Sequence, residues 1–247
     1  MSNINDTYFD GYYKDIWRIL IPEILTTREV DFIISYFDLK PKNKVLDIMC
    51  GYGRHALALA KKGMTVTAID NLADYINEIR EIAQRENLPV TAIRSDVINY
   101  NADADYDLAL CMGNSLNFFD ADDTFNIIKA VASHLKAGGK FLINGWSLAE
   151  IVSKNFKEKN ESLFGGMKFL TESKYLYNPA RIETQSTIIA PDGSMETKMA
   201  IDYIFTVVEM ETMLNKAGFT VNEMYSIPGK KKFEEGDPRI YIIAEKN

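Results

Sequence analysis

From about residue 41 to residue 145, short apolar runs of β type alternate with stretches of helical period. Lys44 to Met49 is an apolar run broken by one acid, Asp47, and it stops at Cys50-Gly51-Tyr52-Gly53. Arg54 to Lys62 carries Ala56, Leu57, Leu59 and Ala60 on a helical period, with Gly63 as its stop. Thr65 to Ile69 is β-branched and ends on Asp70-Asn71, and Leu72 to Glu86 repeats apolar residues at three- and four-residue spacings. Strands near Val90–Arg94 and Tyr106–Met112, a helix over about Ala121–Leu135 and a strand at Gly139–Gly145 complete the run. Strands and helices alternating at these lengths predict right-handed crossovers in a parallel sheet.

Both flanks depart from that rhythm. Residues 1–40 read as a helical flap, with Val30, Phe32, Ile33, Ile34, Tyr36 and Phe37 so closely spaced that much of the second helix is expected to be buried. After a helix, residues 146–205 read as β, with strands at Tyr175–Ile182, Arg181–Ile189 and Met195–Phe205 punctuated by Asn178-Pro179 and Pro191-Asp192-Gly193. The chain closes with a helix at about Val207–Ala217, Gly218 as its cap, and strands near Thr220–Ile227 and Arg239–Glu245. The loop Gly229–Gly236, with three lysines in a solvated turn, makes those strands a hairpin. The expected division is a core of residues 41–145 and 206–247, an inserted β segment of 146–205, and the flap.

Composition narrows the class. A 247-residue chain, 47% hydrophobic and 26% charged, has the balance of a soluble globular protein. Its formal charge of −7 argues against a nucleic-acid partner, which demands surplus cations. There is no long apolar run to span a membrane and no secretory leader pattern, so the expected location is cytoplasmic. Two cysteines make neither a disulfide scaffold nor a zinc site, and no metal is expected; Cys50 and Cys111 end neighbouring strands and are read as reduced, small apolar groups. A monomer or a homodimer suits this composition.

The informative stretch is Val45 to Ala56, where a buried strand ends in a glycine turn that opens into a helix. Glycine lets backbone approach a ligand closely, and the helix N-terminus aims its free N–H groups into the turn. The G-x-G-x-x-A spacing of Gly51, Gly53 and Ala56 also suits a dinucleotide. Asp47 inside the strand end disfavours that, because such strands run apolar into their first glycine. Asp70 ends the second strand, where a parallel sheet brings it beside the same turn and its carboxylate can accept both hydroxyls of a ribose; capping the next helix is its other use. Ser95-Asp96-Val97 ends the third strand, with Asp96 able to accept an adenine amino group, and Cys111-Met112-Gly113-Asn114 ends the fourth. Ligands of open α/β sheets bind outside the carboxyl ends of the strands.

At these residues the sequence resembles the class I S-adenosylmethionine-dependent methyltransferases. Asp47-x-x-Cys50-Gly51-x-Gly53-Arg54-His55 is similar to that family's first motif, Val66 to Asp70 to its second, Ser95-Asp96-Val97 to its third, Tyr106 to Cys111 to its fourth, and Leu135 to Phe141 to the turn before its fifth strand. The resemblance implies a doubly wound, Rossmann-like α/β fold. Its sheet would be seven-stranded and mostly parallel, with a C-terminal antiparallel hairpin and a small antiparallel β insertion acting as a lid. It implies S-adenosyl-L-methionine as cofactor and S-adenosyl-L-homocysteine as product. The cofactor residues it points to are Asp47, Met49, Cys50, Gly51, Gly53, Arg54, Asp70, Asn71, Leu72, Ser95, Asp96, Val97, Cys111, Met112 and Gly113. Met49 stands where the family usually has a small residue, which narrows the site for the methionine tail.

On the substrate side the expectation names Asn114, Asn117, Phe118 and Phe119 after the fourth strand, with Tyr8 and Tyr13 either lining the cavity or packing a helix on the sheet. Arg54 either meets the cofactor's carboxylate or makes a surface ion pair, and His55 is a neutral donor or a packing residue. The expected reaction is in-line transfer of a methyl group to an N, O or C nucleophile of a small molecule, in which alignment and exclusion of water carry the catalysis. No side chain announces itself as a general base. A nicotinamide-dependent oxidoreductase and a non-catalytic cofactor-binding protein are the alternatives.

Overall fold

The computed structural model describes residues 3–101 and 105–247. After a 3-10 turn at Ile4–Thr7 come α1 (Tyr12–Leu20) and α2 (Glu23–Tyr36). The core follows as β1 (Lys44–Ile48), α3 (Arg54–Lys61), β2 (Thr65–Asp70), α4 (Ala73–Arg85), β3 (Val90–Arg94), β4 (Tyr106–Cys111), α5 (Ala121–His134) and β5 (Leu135–Gly145). Helix α6 (Ala149–Asn155) leads into β6 (Lys159–Phe164), β7 (Met167–Tyr177), β8 (Ala180–Ile189) and β9 (Met195–Tyr203). The chain ends with α7 (Val207–Lys216), β10 (Phe219–Ile227), β11 (Lys231–Lys232) and β12 (Ile240–Lys246).

The main sheet runs β11-β10-β12-β5-β4-β1-β2-β3, so seven long strands carry a two-residue strand at one edge. β3, β2, β1, β4 and β5 are parallel, and β12 enters antiparallel between β5 and β10. Strand order reverses between β1 and β4, which opens a crevice at their carboxyl ends. Side chains alternate across the sheet and feed two cores. Leu46, Ile48, Ala109, Cys111, Phe141 and Ile242 pack with α5 and α7; Val45, Val66, Ala68, Leu108, Leu110 and Ile243 pack with α2, α3 and α4. No helix among the described residues is long and apolar enough to cross a membrane.

The second sheet is an antiparallel meander, β6-β7-β8-β9. Tyr175 to Ile182 is not one strand, because Asn178-Pro179 forms the turn between β7 and β8. β7 begins at Met167, and β6 was not anticipated from the sequence. The reason is physical: Lys159 to Phe164 is exposed or half-buried throughout, so no alternation of apolar and polar residues marks it. The lysine loop also differs from a free turn. Lys231 and Lys232 pair with Ile227 and Tyr225, and their side chains meet Asp237 and Glu223.

Gly53 shows how tightly the first turn is packed. It adopts φ +74°, and a Cβ there would lie 2.6 Å from Ile79 Cγ1 of α4. Gly53→Ala should therefore combine left-handed strain with overpacking and lower stability by about 2 kcal/mol, read as a shift in urea midpoint at constant m-value.

Candidate active site

Strand parity decides what reaches the crevice. On β1, Val45 and Asp47 share a face; on β2, Val66, Ala68 and Asp70 share it, and Leu108, Leu110 and Met112 continue it along β4. Asp47, Asp70 and Met112 thus line one cavity of about 920 Å³ at the strand tips. Of the residues expected from the sequence, Met49, Cys50, Gly51, Arg54, Asn71, Leu72, Ser95, Asp96, Val97, Gly113, Tyr13, Phe118 and Phe119 also line it.

Five expected residues do not line it. Cys111 points to the opposite face and is fully buried beneath α5, on the other side of the sheet from Cys50. Gly53 is covered by Ile79. Tyr8 is buried, with its hydroxyl 2.8 Å from Ser186 Oγ of the second sheet. Asn114 and Asn117 are brackets: Asn114 Oδ1 accepts the N–H groups of Trp146 and Ser147 at 2.7 and 2.9 Å, and Asn117 Nδ2 donates to the carbonyls of Ser147 and Tyr203. They fasten the second sheet to the tips of β4 and β5.

The two strand-tip acids differ sharply. Asp70 Oδ2 accepts Gly51 N–H at 2.8 Å and its Oδ1 accepts Leu72 N–H at 3.0 Å, so one carboxylate joins the tips of β1 and β2. Burial holds its pKa above the usual range against those hydrogen bonds. Asp47 is 1% exposed, and its Oδ2 has no hydrogen-bond partner. Burial pushes Asp47 up to about 7, opposed by the Arg54 charge. Nothing lies within 4 Å of the place where a Cβ on Gly51 would stand, which leaves an open cradle beside both acids.

Behind this turn lies a buried network. Glu29 of α2 accepts from Arg54 Nη1 at 2.5 Å and His55 Nε2 at 3.0 Å on one oxygen, and from the Tyr241 hydroxyl at 2.7 Å on the other. Burial alone would raise the Glu29 pKa, but His55, Arg54 and Tyr241 together carry it down to about 2. Burial, with Arg54 alongside, depresses His55 to about 4. It is a neutral donor at pH 7, and Arg54 makes an enclosed ion pair instead of a surface one.

The N-terminal segment and the second sheet wall the cavity. Asn5 donates to the carbonyls of Phe118 and Ile201, the Tyr75 hydroxyl donates to the carbonyl of Phe9, and Arg18 pairs with Glu78 at 2.5 Å. Trp17 lies 5.8 Å from Trp146 and 6.3 Å from Tyr13 between ring centroids, and Phe9 lies 4.9 Å from Phe118; all five line the cavity. Tyr75 and Asp6 were missed as site residues because they come from segments with no motif. Asp120, Asp122 and Asp123, at the start of α5, carried a readable signal in their helix-capping pattern. The lining holds the carboxylates Asp6, Asp47, Asp70, Asp96, Asp120, Asp122 and Asp123, and among its described residues the sole Lys or Arg is Arg54, already paired with Glu29.

Residues 45–139 match the family model for a methyltransferase domain. A glycine/sarcosine N-methyltransferase of Aphanothece halophytica is 22% identical over all of this chain and 92% of its own length. Other curated relatives align over the core, and the chain spans less than half of their length. Among solved structures, an S-adenosylmethionine-dependent methyltransferase from Clostridium acetobutylicum superposes with a TM-score of 0.83 at 20% identity, covering 96% of each chain. CalS10, an amino pentose methyltransferase from Micromonospora echinaspora solved with S-adenosylmethionine bound, gives 0.74 at 16% identity over 96% of this chain and 98% of its own.

Because Asp47 has a folded pKa of about 7, far above its unfolded value, its contribution to stability is fully present below about pH 4 and is lost as pH rises through 7. His55 acts in the opposite sense between about 4 and 6.5. The difference between wild type and Asp47→Asn isolates the acid. We expect the ligand-free variant to gain on the wild type by about 4 kcal/mol between pH 4 and pH 8, measured by urea unfolding across that range. A flat difference curve would remove the uncompensated charge.

Proposed function

We propose that this chain, an S-adenosylmethionine-dependent methyltransferase, methylates the nitrogen of a small amine. The observation that carries this reading is the cavity's charge: seven aspartates line it against one cation that is already neutralised. Such a wall favours a cationic or amine-bearing acceptor over a carboxylate or phosphate. The aromatic wall of Trp17, Trp146, Tyr13, Phe9 and Phe118 adds π faces on which a methylated ammonium is attracted. The names of two similar proteins, glycine/sarcosine N-methyltransferase and amino pentose methyltransferase, agree with an amine acceptor.

The residues present fit the cofactor. The orphaned Oδ2 of Asp47 would take its ammonium, and Asp70, with an open lone pair on each oxygen, its ribose hydroxyls. The cradle over Gly51 admits it closely, and the third strand's end, at Asp96 to Asn99, would face the adenine. When bound, the cofactor supplies a methyl group on a positively charged sulfur that leaves readily. The chain's own residues then align the acceptor and keep water out: the second sheet acts as a lid and the N-terminal segment as a flap. The protein works in the cytoplasm on a free small molecule, as a monomer or homodimer, with thiols that stay reduced and with no need of nucleic acid.

Asp70→Ala should weaken S-adenosylhomocysteine binding at least tenfold, about 1.4 kcal/mol, by calorimetry on a variant that melts like wild type. Turnover of S-adenosylmethionine across a panel of amines, phenols and carboxylic acids should be confined to amines; methylation of phenols or acids alone would sink the amine reading.

A further inference from the structure

Met49, just past the end of β1, has φ +50°, a left-handed conformation that glycine adopts freely and a residue with a side chain only at a cost. The chain nevertheless sets an apolar side chain there, half-buried and lining the cavity. An outlier of this kind at a strand tip is a pointer to function. Met49 packs on the core of Leu46 and Ile48, beneath α5 and α7. Phe119, Trp146 and Tyr203 are also half-buried, pack on the same core and line the same cavity. Together the four form an apolar floor.

Strand order decides which ligand meets that floor. The sheet runs β5-β4-β1-β2-β3. The places given above to the cofactor's ammonium, ribose and adenine lie at the tips of β1, β2 and β3, so the half of the cavity over β4 and β5 is left to the acceptor. Phe119 follows β4 and Trp146 follows β5 directly. Backbone brackets fix the floor in place: Asn114 Oδ1 accepts the N–H groups of Trp146 and Ser147, and Asn117 Nδ2 donates to the carbonyls of Ser147 and Tyr203. Asp202 secures the bracket from behind by accepting from Asn114 and Ser147. Trp17 roofs the same half, since a Cβ on Gly113 at the tip of β4 would stand 3.8 Å from its Cζ2, and its ring meets that of Trp146 at 43°.

We propose that the acceptor is an amine carrying an aryl group, which Met49, Phe119, Trp146 and Tyr203 receive, and that Met49 is the residue that sets this preference. The proposal rests on the amine reading above and adds what lies beyond the nitrogen. Of the four side chains, only the Trp146 indole N–H and the Tyr203 hydroxyl form ordinary hydrogen bonds. A body rich in hydroxyls would leave most of its polar atoms unpaired on such a floor, whereas a ring exchanges water for apolar contact. The Met49 thioether is polarizable and adds a favourable contact with an aromatic edge.

The test is the ratio of kcat/KM for 2-phenylethylamine to that for ethylamine. Both acceptors share the cofactor, so the ratio cancels any effect of a variant on cofactor handling or on the amount of folded enzyme. Wild type should favour the aryl amine by at least about tenfold. Met49→Gly, which removes the side chain and relieves the left-handed residue, should bring the two amines close to equal, while Met49→Leu, which keeps the apolar bulk, should retain the preference. A merely structural role for Met49 would lower both rates together and leave the ratio alone. A wild-type ratio near one, or turnover of other amines without 2-phenylethylamine, overturns the aryl acceptor and leaves the amine reading standing. A wild-type preference that survives intact in Met49→Gly overturns the role of Met49, and with it the proposal. Failure of every amine in the panel overturns both readings. If Met49→Gly does not fold, Met49→Ala decides by the same ratio.

Discussion

A carboxylate at the end of a buried strand must find donors or a cation, because the water that would solvate it is gone. Four acids around the mouth of the main sheet meet that demand in different ways. Glu29 is satisfied inside the protein by Arg54, His55 and Tyr241, and Asp70 is held by two backbone N–H groups. Asp202 accepts from the side chains of Asn114 and Ser147, and Asp47 alone keeps a buried oxygen orphaned among the described residues. The satisfied acids build the frame: Glu29 ties α2, α3 and β12 together behind the turn, and Asp70 joins the tips of β1 and β2. The orphaned oxygen of Asp47 marks a place beside the first turn where positive charge is missing.

That division explains what the sequence disclosed. The strand–turn–helix at Val45 to Ala56 and the acids at the first two strand tips are local patterns, and a parallel sheet with β1 beside β2 brings such tips together without further information. Parity along β4 was equally local, and applying it would have moved Cys111 out of the cavity and kept Met112 in. Asn114 and Asn117 follow the fourth strand as substrate residues would, yet they serve as brackets, because their partners Ser147, Asp202 and Tyr203 come from a segment far along the chain. The pairing of Arg54 with Glu29 and the seat of Asp202 were hidden for the same reason. Burial that depends on tertiary docking leaves no periodic trace.

The walls of the cavity differ in strength. The core face is a continuous apolar layer from Val45 through Leu110 to Ile243, fully or nearly fully buried. The N-terminal segment is held to α4 by the Tyr75–Phe9 hydrogen bond and half-exposed ion pairs such as Arg18–Glu78 and Lys14–Glu78, and to the second sheet more firmly, by Lys198 on Thr7 and Asp10 and by Ile16 packed on Met167 and Ile188. Half-exposed pairs of that kind contribute about 0.2–1 kcal/mol each, so the side of this wall that faces α4 is held less firmly than the strands of the core.

The same arithmetic sets a trade between stability and binding. An acid left half-satisfied lowers the stability of the empty protein, and the ligand that completes it returns that free energy as affinity. Asp47 could have been satisfied from within: Arg54 is near enough to lower its pKa, but its guanidinium is turned to Glu29 and Thr26. Glu29 thereby keeps the cavity's cation occupied and the cavity's field negative. The proposed acceptor amine and a sulfonium would both profit from that field, while a carboxylate substrate would have to draw Arg54 out of a buried pair before it met any positive charge. The proposed preference for cationic ligands would therefore reside as much in Glu29, which lines no part of the cavity, as in the aspartates that do.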